Sequence, residues 1–233
     1  MRATNARVWN VVRVTLCASV AVSCGGLAER AGRPELVTDF RELFDTNCAG
    51  CHGVDGRRSV AQPLNDPLYL ALVSDARLRD VISHGVPGTS MTAFRKDAGG
   101  TLTNEQVIAL VEGMRRTWGS TAEDDGELPA YSEDEAVARG ESRGDRERGR
   151  SAYVTYCLRC HGPDGRGGPS AGSVVDRAFL VLTSDQSLRT TIITGRREEG
   201  IPDWREDVPG RPMKPQEVSD VVAWISAHRE NHD

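Results

Sequence analysis

Two short runs of the sequence combine residue types that can hold an iron cofactor, Cys48-Ala49-Gly50-Cys51-His52 and Cys157-Leu158-Arg159-Cys160-His161. Each places two thiols in a Cys-x-x-Cys spacing with an imidazole directly after the second thiol. This is the spacing that attaches a c-type haem, because the thiols form thioether bonds to the haem edges and the adjacent imidazole ligates iron. The sequence therefore predicts two covalent haems c, attached through Cys48, Cys51, Cys157 and Cys160, with His52 and His161 as axial ligands.

Two other kinds of site use Cys-x-x-Cys pairs. A four-cysteine zinc site would need no His directly after each pair, and its pairs usually lie closer in sequence. A redox dithiol is expected next to a βαβ pattern, and neither motif has one. The sequence favours haem, and the zinc site and the redox dithiol are the less favoured alternatives.

The length of 233 residues is enough for two small domains. Aromatic residues make up only 5% of the chain, so each domain has a thin core by itself. A covalent haem would add apolar bulk to domains that bury a limited fraction of their surface. Four of the six cysteines belong to the two motifs, and the other two, Cys17 and Cys24, lie near the N-terminus.

Residues 1–23 have the pattern of an export signal. Arg2, Arg7 and Arg13, with no acidic residue among them, precede an apolar stretch at 14–22. This stretch is too short to span a membrane as a helix. The following run, Ala21-Val22-Ser23-Cys24-Gly25, resembles a bacterial lipobox, which implies lipidation of Cys24 and attachment to the periplasmic side of a membrane. Ordinary signal cleavage near the same place is the alternative.

The charge of the chain is acidic. The formal net charge is −5, and loss of residues 1–23 would move it to −8 because three Arg and no acid are removed. An acidic protein has no electrostatic attraction to nucleic acid. Partners with a basic docking patch are favoured instead.

The sequence contains an internal repeat. The segment 44–56 aligns with 153–165 at an offset of 109, and Ser74-Asp75 aligns with Ser184-Asp185 at an offset of 110. Each copy predicts a helix before the motif, a helix starting near Asp75 or Asp185, and a final helix. The final helix shows the clearest apolar stripe, at Val107, Leu110, Val111 and Met114, and at Val218, Val221, Val222 and Ile225.

The segment 120–145 between the copies is polar. It contains seven acids and no base from Glu123 to Glu135, with Gly126, Pro129 and Gly140 as breaks. This composition predicts a solvated linker.

Each copy resembles a class I cytochrome c domain, over residues 36–119 and 146–231. The resemblance rests on the haem motif after an N-terminal helix and on a C-terminal helix that closes the domain. It implies an all-α fold of two tandem cytochrome c-like helical domains, each wrapped around a covalent haem. It also implies a Met as the second axial ligand, on a loop before the last helix.

The first copy has a Met in that loop, Met91, whereas Met114 belongs to the helical stripe. In the second copy Ile201 falls opposite Met91, and Met213 falls opposite Leu102. The second iron is therefore predicted either to be held by Met213 after a loop rearrangement or to lack a sixth protein ligand.

The resemblance implies an exported di-haem cytochrome that transfers single electrons between redox partners, including respiratory-chain components, alone or as a subunit of a respiratory complex. The chain shows no catalytic domain of its own, so an electron carrier is favoured over an enzyme. The alternative is a di-haem peroxidase-like enzyme with an open second haem. Ile201 suggests it, because an Ile at the position of Met91 cannot ligate iron.

Overall fold

The computed structural model describes residues 32–57, 61–119, 128–206 and 208–229. Within these ranges the regular elements are eleven α-helices and five short 3-10 helices, beside two isolated bridges. The chain divides into a unit Met1–Leu36 and a unit Val37–Asp233, and the second unit contains both copies of the repeat. In the described residues, no helix has both the length and the apolar character needed to cross a membrane.

The first copy contains five α-helices: α1 Phe40–Asn47, α2 Ala49–His52, α3 Pro67–Leu72, α4 Asp75–His84 and α5 Asn104–Trp118. A sixth helix, α6 Glu133–Ala138, lies between the copies. The second copy repeats the first five: α7 Arg146–Tyr156, α8 Leu158–His161, α9 Arg177–Leu182, α10 Asp185–Thr194 and α11 Pro215–Ser226. The prediction of an all-α fold with two tandem helical copies is confirmed for the described residues.

Matched side-chain caps explain why corresponding helices begin at corresponding residues. Ser74 accepts a hydrogen bond from the Arg77 amide at the start of α4, and Ser184 accepts one from the Ser187 amide at the start of α10. Thr103 forms a capping box with Gln106 at the start of α5. Each cap satisfies an amide that a helix start would otherwise leave without an acceptor.

The two final helices, α5 and α11, bury their predicted apolar stripes. In each helix the four stripe residues are at most 8% exposed and form the centre of that copy's core. We call the buried residues around the α5 stripe the first cluster and those around the α11 stripe the second cluster.

The first and last helices of each copy cross over a glycine. In the first copy Gly113 of α5 lies against the ring of Phe40, and a Cβ on Gly113 would be 2.3 Å from ring atoms. In the second copy the glycine is on the other helix, because Gly149 of α7 lies against Asp220 and Trp224 of α11. Phe40 corresponds to Gly149 and Gly113 to Trp224, so the large and the small residue have changed places between the copies.

The helix α3 joins the two copies. Tyr69 and Leu70 lie in the first cluster, whereas Leu68 lies in the second cluster and Leu72 packs against both. Helix α3 and its counterpart α9 had no prediction, since six residues are too few for an apolar period to show.

The predicted linker is anchored by a few buried residues, Pro129, Ala130, Tyr131 and Ala136, while the rest of residues 128–145 is exposed or half-buried. Ala130 and Tyr131 are buried, and Tyr131 belongs to the first cluster. The carbonyl oxygen of Ala130 accepts a hydrogen bond from Nε of the buried Arg189, at 2.8 Å. Ser132 caps α6, the Glu135 carboxylate accepts from the Tyr131 amide at 3.1 Å, and Glu133 pairs with Arg143 at 3.0 Å.

Candidate functional site

Both Cys-x-x-Cys-His motifs occupy the same place in their copies. Cys48 ends α1 and begins the one-turn helix α2, which contains Cys51 and His52. Cys157 ends α7 and begins α8 in the same way. The His52 and His161 amides each donate to the carbonyl oxygen of the motif's first cysteine at 2.9 Å, so one backbone geometry is used twice.

The glycine after each motif allows the chain to leave the short helix. Gly53 has a φ of 79°, and a Cβ there would be 2.1 Å from the carbonyl oxygen of Arg57. Gly162 has a φ of 73°, and a Cβ there would be 2.1 Å from the carbonyl oxygen of Gly167. A side chain at either position would be both strained and blocked, so the Cys-His-Gly order is a steric requirement.

Each motif histidine is oriented by a backbone carbonyl. Nδ1 of His52 lies 2.9 Å from the oxygen of Gln62, and Nδ1 of His161 lies 2.7 Å from the oxygen of Gly172. A carbonyl oxygen can only accept, so Nδ1 carries the proton and the lone pair is on Nε2. This tautomer presents Nε2 to a metal, and the carbonyl holds the ring in one orientation.

Burial keeps the His52 imidazole in the form that can ligate iron. Its pKa is lowered, chiefly because burial disfavours the charged ring, although the hydrogen bond to Gln62 acts in the opposite direction. Burial and the neighbouring Cys51 raise the pKa of the Cys48 thiol to about 12. Among the described residues the four motif cysteines form no disulfide with one another.

Tyr153 supports the second motif in a way that the first copy does not repeat. Its hydroxyl donates to the carbonyl oxygen of Gly162 at 2.6 Å, and burial raises its pKa to about 12. The corresponding residue of the first copy, Phe44, is fully buried but has no hydroxyl. The repeat alignment pairs these two residues, but the acceptor on Gly162 is visible only in the structure.

Met91 lies in the loop between α4 and α5, as predicted from the sequence. It is half-buried and packs against the first cluster, as does Cys48. Its carbonyl oxygen accepts from the Val86 amide at 2.8 Å, and its amide donates to Oγ1 of Thr89 at 3.1 Å. The loop therefore fixes the Met91 backbone on both sides of its side chain.

Ile201 occupies the position of Met91 in the second copy. Its carbonyl oxygen accepts from the Arg196 amide at 2.9 Å, which repeats the Val86–Met91 bond of the first copy. Its own amide donates back to the Arg196 carbonyl at 3.1 Å. Gly195, like Gly85, has a positive φ and lies against this residue's carbonyl oxygen. The backbone supports the pairing of Ile201 with Met91.

Met213 occupies the position of Leu102 rather than that of Met91. Its amide donates to the Trp204 carbonyl oxygen at 2.9 Å, and the Leu102 amide donates to the Phe94 carbonyl oxygen at 2.7 Å. Both side chains are buried, at 1% and 4% exposure, in the core just before the final helix.

The loop of the second copy contains a buried carboxylate, paired with two partly exposed arginines, that the sequence did not predict. The Asp203 side chain is 0% exposed and lies 2.8 Å from Arg197 and 3.0 Å from Arg205. Burial alone would raise the pKa of this carboxyl, but the hydrogen bonds from Arg205 and Arg197 outweigh it and lower the pKa. The acidic and basic residues in the sequence are too numerous to single out this pair.

The residues present fit the haem c that the motifs predict. Each copy brings together two thiols and an imidazole with a fixed tautomer, which is the donor set for covalent attachment and proximal ligation. In the second cluster the buried Nε1 of Trp204 has no acceptor among the described residues. A buried N–H of this kind needs a partner, and a polar substituent of a cofactor or a water can supply one.

Cys24, the candidate for lipidation, and the whole segment 1–23 lie outside the described residues. Gln62, Gly172 and Tyr153, in contrast, are described and support the motifs, although no sequence signal identifies them. Two of them act through the backbone carbonyl, which every residue type carries.

Comparison with known proteins identifies both copies. The family model described as cytochrome c oxidase, cbb3-type, subunit III, matches residues 35–112 and 144–225. These ranges contain both motifs and lie within or close to the predicted domains.

Curated relatives extend the same similarity. The chain is 26% identical over 191 residues to the cbb3-type cytochrome c oxidase subunit CcoP of Azospirillum sp. (strain B510), covering 75% of this chain and 57% of the relative. It is 27% identical over 190 residues to subunit FixP of Bradyrhizobium sp. (strain ORS 278), covering 76% of this chain and 59% of the relative. The chain thus spans less than two thirds of the length of these relatives.

A solved structure, that of the Kuenenia stuttgartiensis reducing HAO-like protein complex, is also similar. It shares 16% sequence identity, covers 83% of this chain and 97% of that chain, and has a TM-score of 0.43. A likeness at this level carries no argument about function.

Proposed function

Since this chain belongs to the family of cytochrome c oxidase, cbb3-type, subunit III, and is a di-haem c-type cytochrome, we propose that it transfers single electrons between exported redox partners. One observation carries the proposal: two motifs with the same backbone geometry, each with a histidine that a carbonyl oxygen fixes for ligation through Nε2. When bound, haem c supplies one-electron chemistry at its iron.

The protein holds its two cofactors with residues at matched positions. Cys48 and Cys51 would form the thioethers of the first copy, and Cys157 and Cys160 those of the second. His52 and His161, oriented by the carbonyls of Gln62 and Gly172, would ligate iron through Nε2. Met91, whose backbone is fixed by the Val86 amide, would supply the thioether ligand of the first iron. A Met/His pair favours reduced iron and leaves no open position.

The residues of this chain orient the ligands and pack behind them. The first cluster packs around α5 behind Cys48 and Met91, and the second cluster packs around α11 behind Cys157. Burial of this kind and axial-ligand identity are the means by which a cytochrome sets its potential.

The chain is further proposed to work as a subunit of a respiratory complex. The relatives carry the name of cbb3-type oxidase subunits, and the match covers both copies. The formal charge of −5 favours partners that present a basic patch, since complementary charge speeds encounter.

A location on the periplasmic side of a membrane, with a lipid anchor at Cys24, completes the proposal. It is supported by the lipobox-like run and by the Arg-containing segment 1–23. Expression of Cys24→Ala in the native host should release the protein into the soluble fraction with two haems still attached. A wild-type protein that is already soluble and carries no lipid mass would favour ordinary signal cleavage.

The electron-transfer proposal is tested with the holoprotein purified from native membranes. We expect respiratory oxidase subunits to co-purify, identified by mass spectrometry. We also expect reduced protein to be oxidised by that oxidase, at a rate that falls with ionic strength. A reduced protein that the co-purified fraction does not oxidise would refute the proposed role.

A di-haem peroxidase is a second candidate function, and Ile201 at the position of Met91 favours it. Consumption of hydrogen peroxide by the reduced holoprotein would support it. The peroxidase activity would be assigned to the second copy only if Ile201→Met abolished it.

A further inference from the structure

The two copies differ at the residue that would face iron opposite the histidine. Both loops have the same backbone hydrogen bond, from Val86 to Met91 in the first copy and from Arg196 to Ile201 in the second. Met91 carries a thioether with lone pairs, whereas the Ile201 side chain has none. The loop therefore presents a ligand in the first copy and a hydrocarbon in the second.

The Ile201 backbone is held where it is. The two hydrogen bonds that it exchanges with Arg196 form an isolated bridge, and Gly195 lies directly against its carbonyl oxygen. A shift of the loop that brought another residue to this place would break both bonds. Gly195 permits this close approach, because a Cβ there would lie 2.7 Å from the Ile201 carbonyl oxygen.

Met213 occupies a different position of the repeat. It directly precedes Lys214, the N-cap of α11, and its amide is bonded to Trp204. Its side chain is 1% exposed within the second cluster, at the position where Leu102 fills the first cluster. Because the first copy uses this position for a core residue while Met91 stands in the loop, we assign Met213 to the core.

The carboxylates of the second loop, which could otherwise ligate iron, form ion pairs with arginines. Among the described residues of the segment 195–214, all four carboxylates lie within 4 Å of an arginine nitrogen: Glu198, Glu199, Asp203 and Glu206. His228, beyond α11, directs Nδ1 to the Trp224 carbonyl oxygen at 2.9 Å and packs its ring on that indole. None of these groups stands at the Ile201 position.

From this arrangement we propose that the second copy is a binding site for a neutral diatomic molecule. His161 would ligate the second iron, and Ile201, at the position of Met91, would offer it no second protein ligand. An iron with one imidazole ligand and an open position binds such molecules in its reduced state. Ile201 offers no hydrogen-bond donor, so the site favours weakly polar ligands of the carbon monoxide type. This inference rests on the proposed di-haem function.

The test uses carbon monoxide and the full-length holoprotein after reduction with dithionite. Titration followed by the Soret absorbance should show about one molecule bound per chain, against two haems per chain in the pyridine haemochrome assay. Ile201→Met should bind none, because it places a thioether where Met91 stands in the first copy. Met213→Leu, which copies Leu102, should still bind one.

Three results would overturn the proposal. Wild-type protein that binds no carbon monoxide, with binding gained in Met213→Leu, would show that Met213 ligates the iron. Binding that persists unchanged in Ile201→Met would place the open position elsewhere. Binding of two molecules per wild-type chain would refute the difference between the copies.

The haem count separates this inference from the proposed function. Two haems per chain without the expected carbon monoxide pattern would refute the open second site and leave electron transfer standing. Fewer than two covalent haems in protein exported with its maturation machinery would refute the di-haem function itself.

Discussion

Phe40 and Gly113 lie so close that a single methyl group between them would be 2.3 Å from the aromatic ring. This contact is where the first and last helices of the first copy cross. Phe40 also packs against Phe44 and Trp118, at ring-centroid distances of 5.7 Å and 5.3 Å. The crossing is therefore part of an aromatic group that α1 shares with the end of α5.

Gly113→Ala should destabilise the first copy. Removal of a helical glycine gains up to about 1 kcal/mol of helix propensity. Overpacking against Phe40 costs about 1–3 kcal/mol and outweighs that gain. We expect a lower midpoint of chemical unfolding for the holoprotein, measured by far-UV circular dichroism.

Gly50→Ala is the matched control, since no atom of the described residues lies within 4 Å of a Cβ at Gly50 and the second copy carries Arg159 there. It should leave stability unchanged or slightly raised. In a Phe40→Ala background the cost of Gly113→Ala should shrink, because the two residues are in contact. Equal costs in both backgrounds would contradict the proposed clash.

Replacement of Cys157 and Cys160 by Ser should leave one covalent haem per chain. Without thiols the second copy cannot form thioethers, whereas Cys48 and Cys51 are unaffected. Denatured mass and pyridine haemochrome absorbance should both report half the wild-type content. Two haems remaining attached would refute the assignment of the second motif.

Met91→Ala should open the first iron. Carbon monoxide bound to the reduced protein should rise from about one to about two per chain, and the potential of that centre should fall because a thioether favours reduced iron. Met114→Leu is the control, since Met114 is 2% exposed in the α5 stripe. An unchanged potential in Met91→Ala would remove Met91 from the ligand set.

Asp203→Asn should destabilise the protein at neutral pH, by about 1–3 kcal/mol, because a neutral amide replaces the buried carboxylate that accepts hydrogen bonds from Arg197 and Arg205. The pKa of Asp203 is lowered in the folded state. Its contribution is therefore present above the unfolded pKa of about 3.9 and is lost as the pH falls through the folded value. The difference between variant and wild type should shrink below about pH 4.

Asp97→Asn is the control for an exposed ion pair. Asp97 pairs with Arg95 in the first copy and is 65% exposed. Exposed pairs contribute little, so its unfolding midpoint should match the wild type. Similar losses at Asp97 and Asp203 would show that burial does not set the cost.

The sequence identified the elements whose patterns are long or chemically specific. The stripes at Val107 and Val218 predicted the final helices, and the repeat of Ser74 at Ser184 predicted the starts of α4 and α10, all of which the structure contains. The motif spacing predicted the cofactor class, which the family confirms. These signals are local, so they need no knowledge of tertiary contacts.

What the sequence did not predict depends on contacts between distant residues. The carbonyls of Gln62 and Gly172 orient the motif histidines, but no residue type marks a carbonyl acceptor. Tyr131 lies beside an acidic run that suggested a solvated linker, yet it is buried in the first cluster. The roles of Met91 and Met213 as ligands stay predictions.

The exchanged glycine and aromatic residue at the helix crossings bear on how a tandem repeat avoids misassembly. During folding, two similar copies on one chain can pair helices with the wrong partner. If α1 crossed α11, Phe40 would meet Trp224, and if α7 crossed α5, Gly149 would meet Gly113. The first pairing would place two large side chains in one crossing, and the second would leave a void. Complementary side-chain size therefore favours pairing of each N-terminal helix with the C-terminal helix of its own copy.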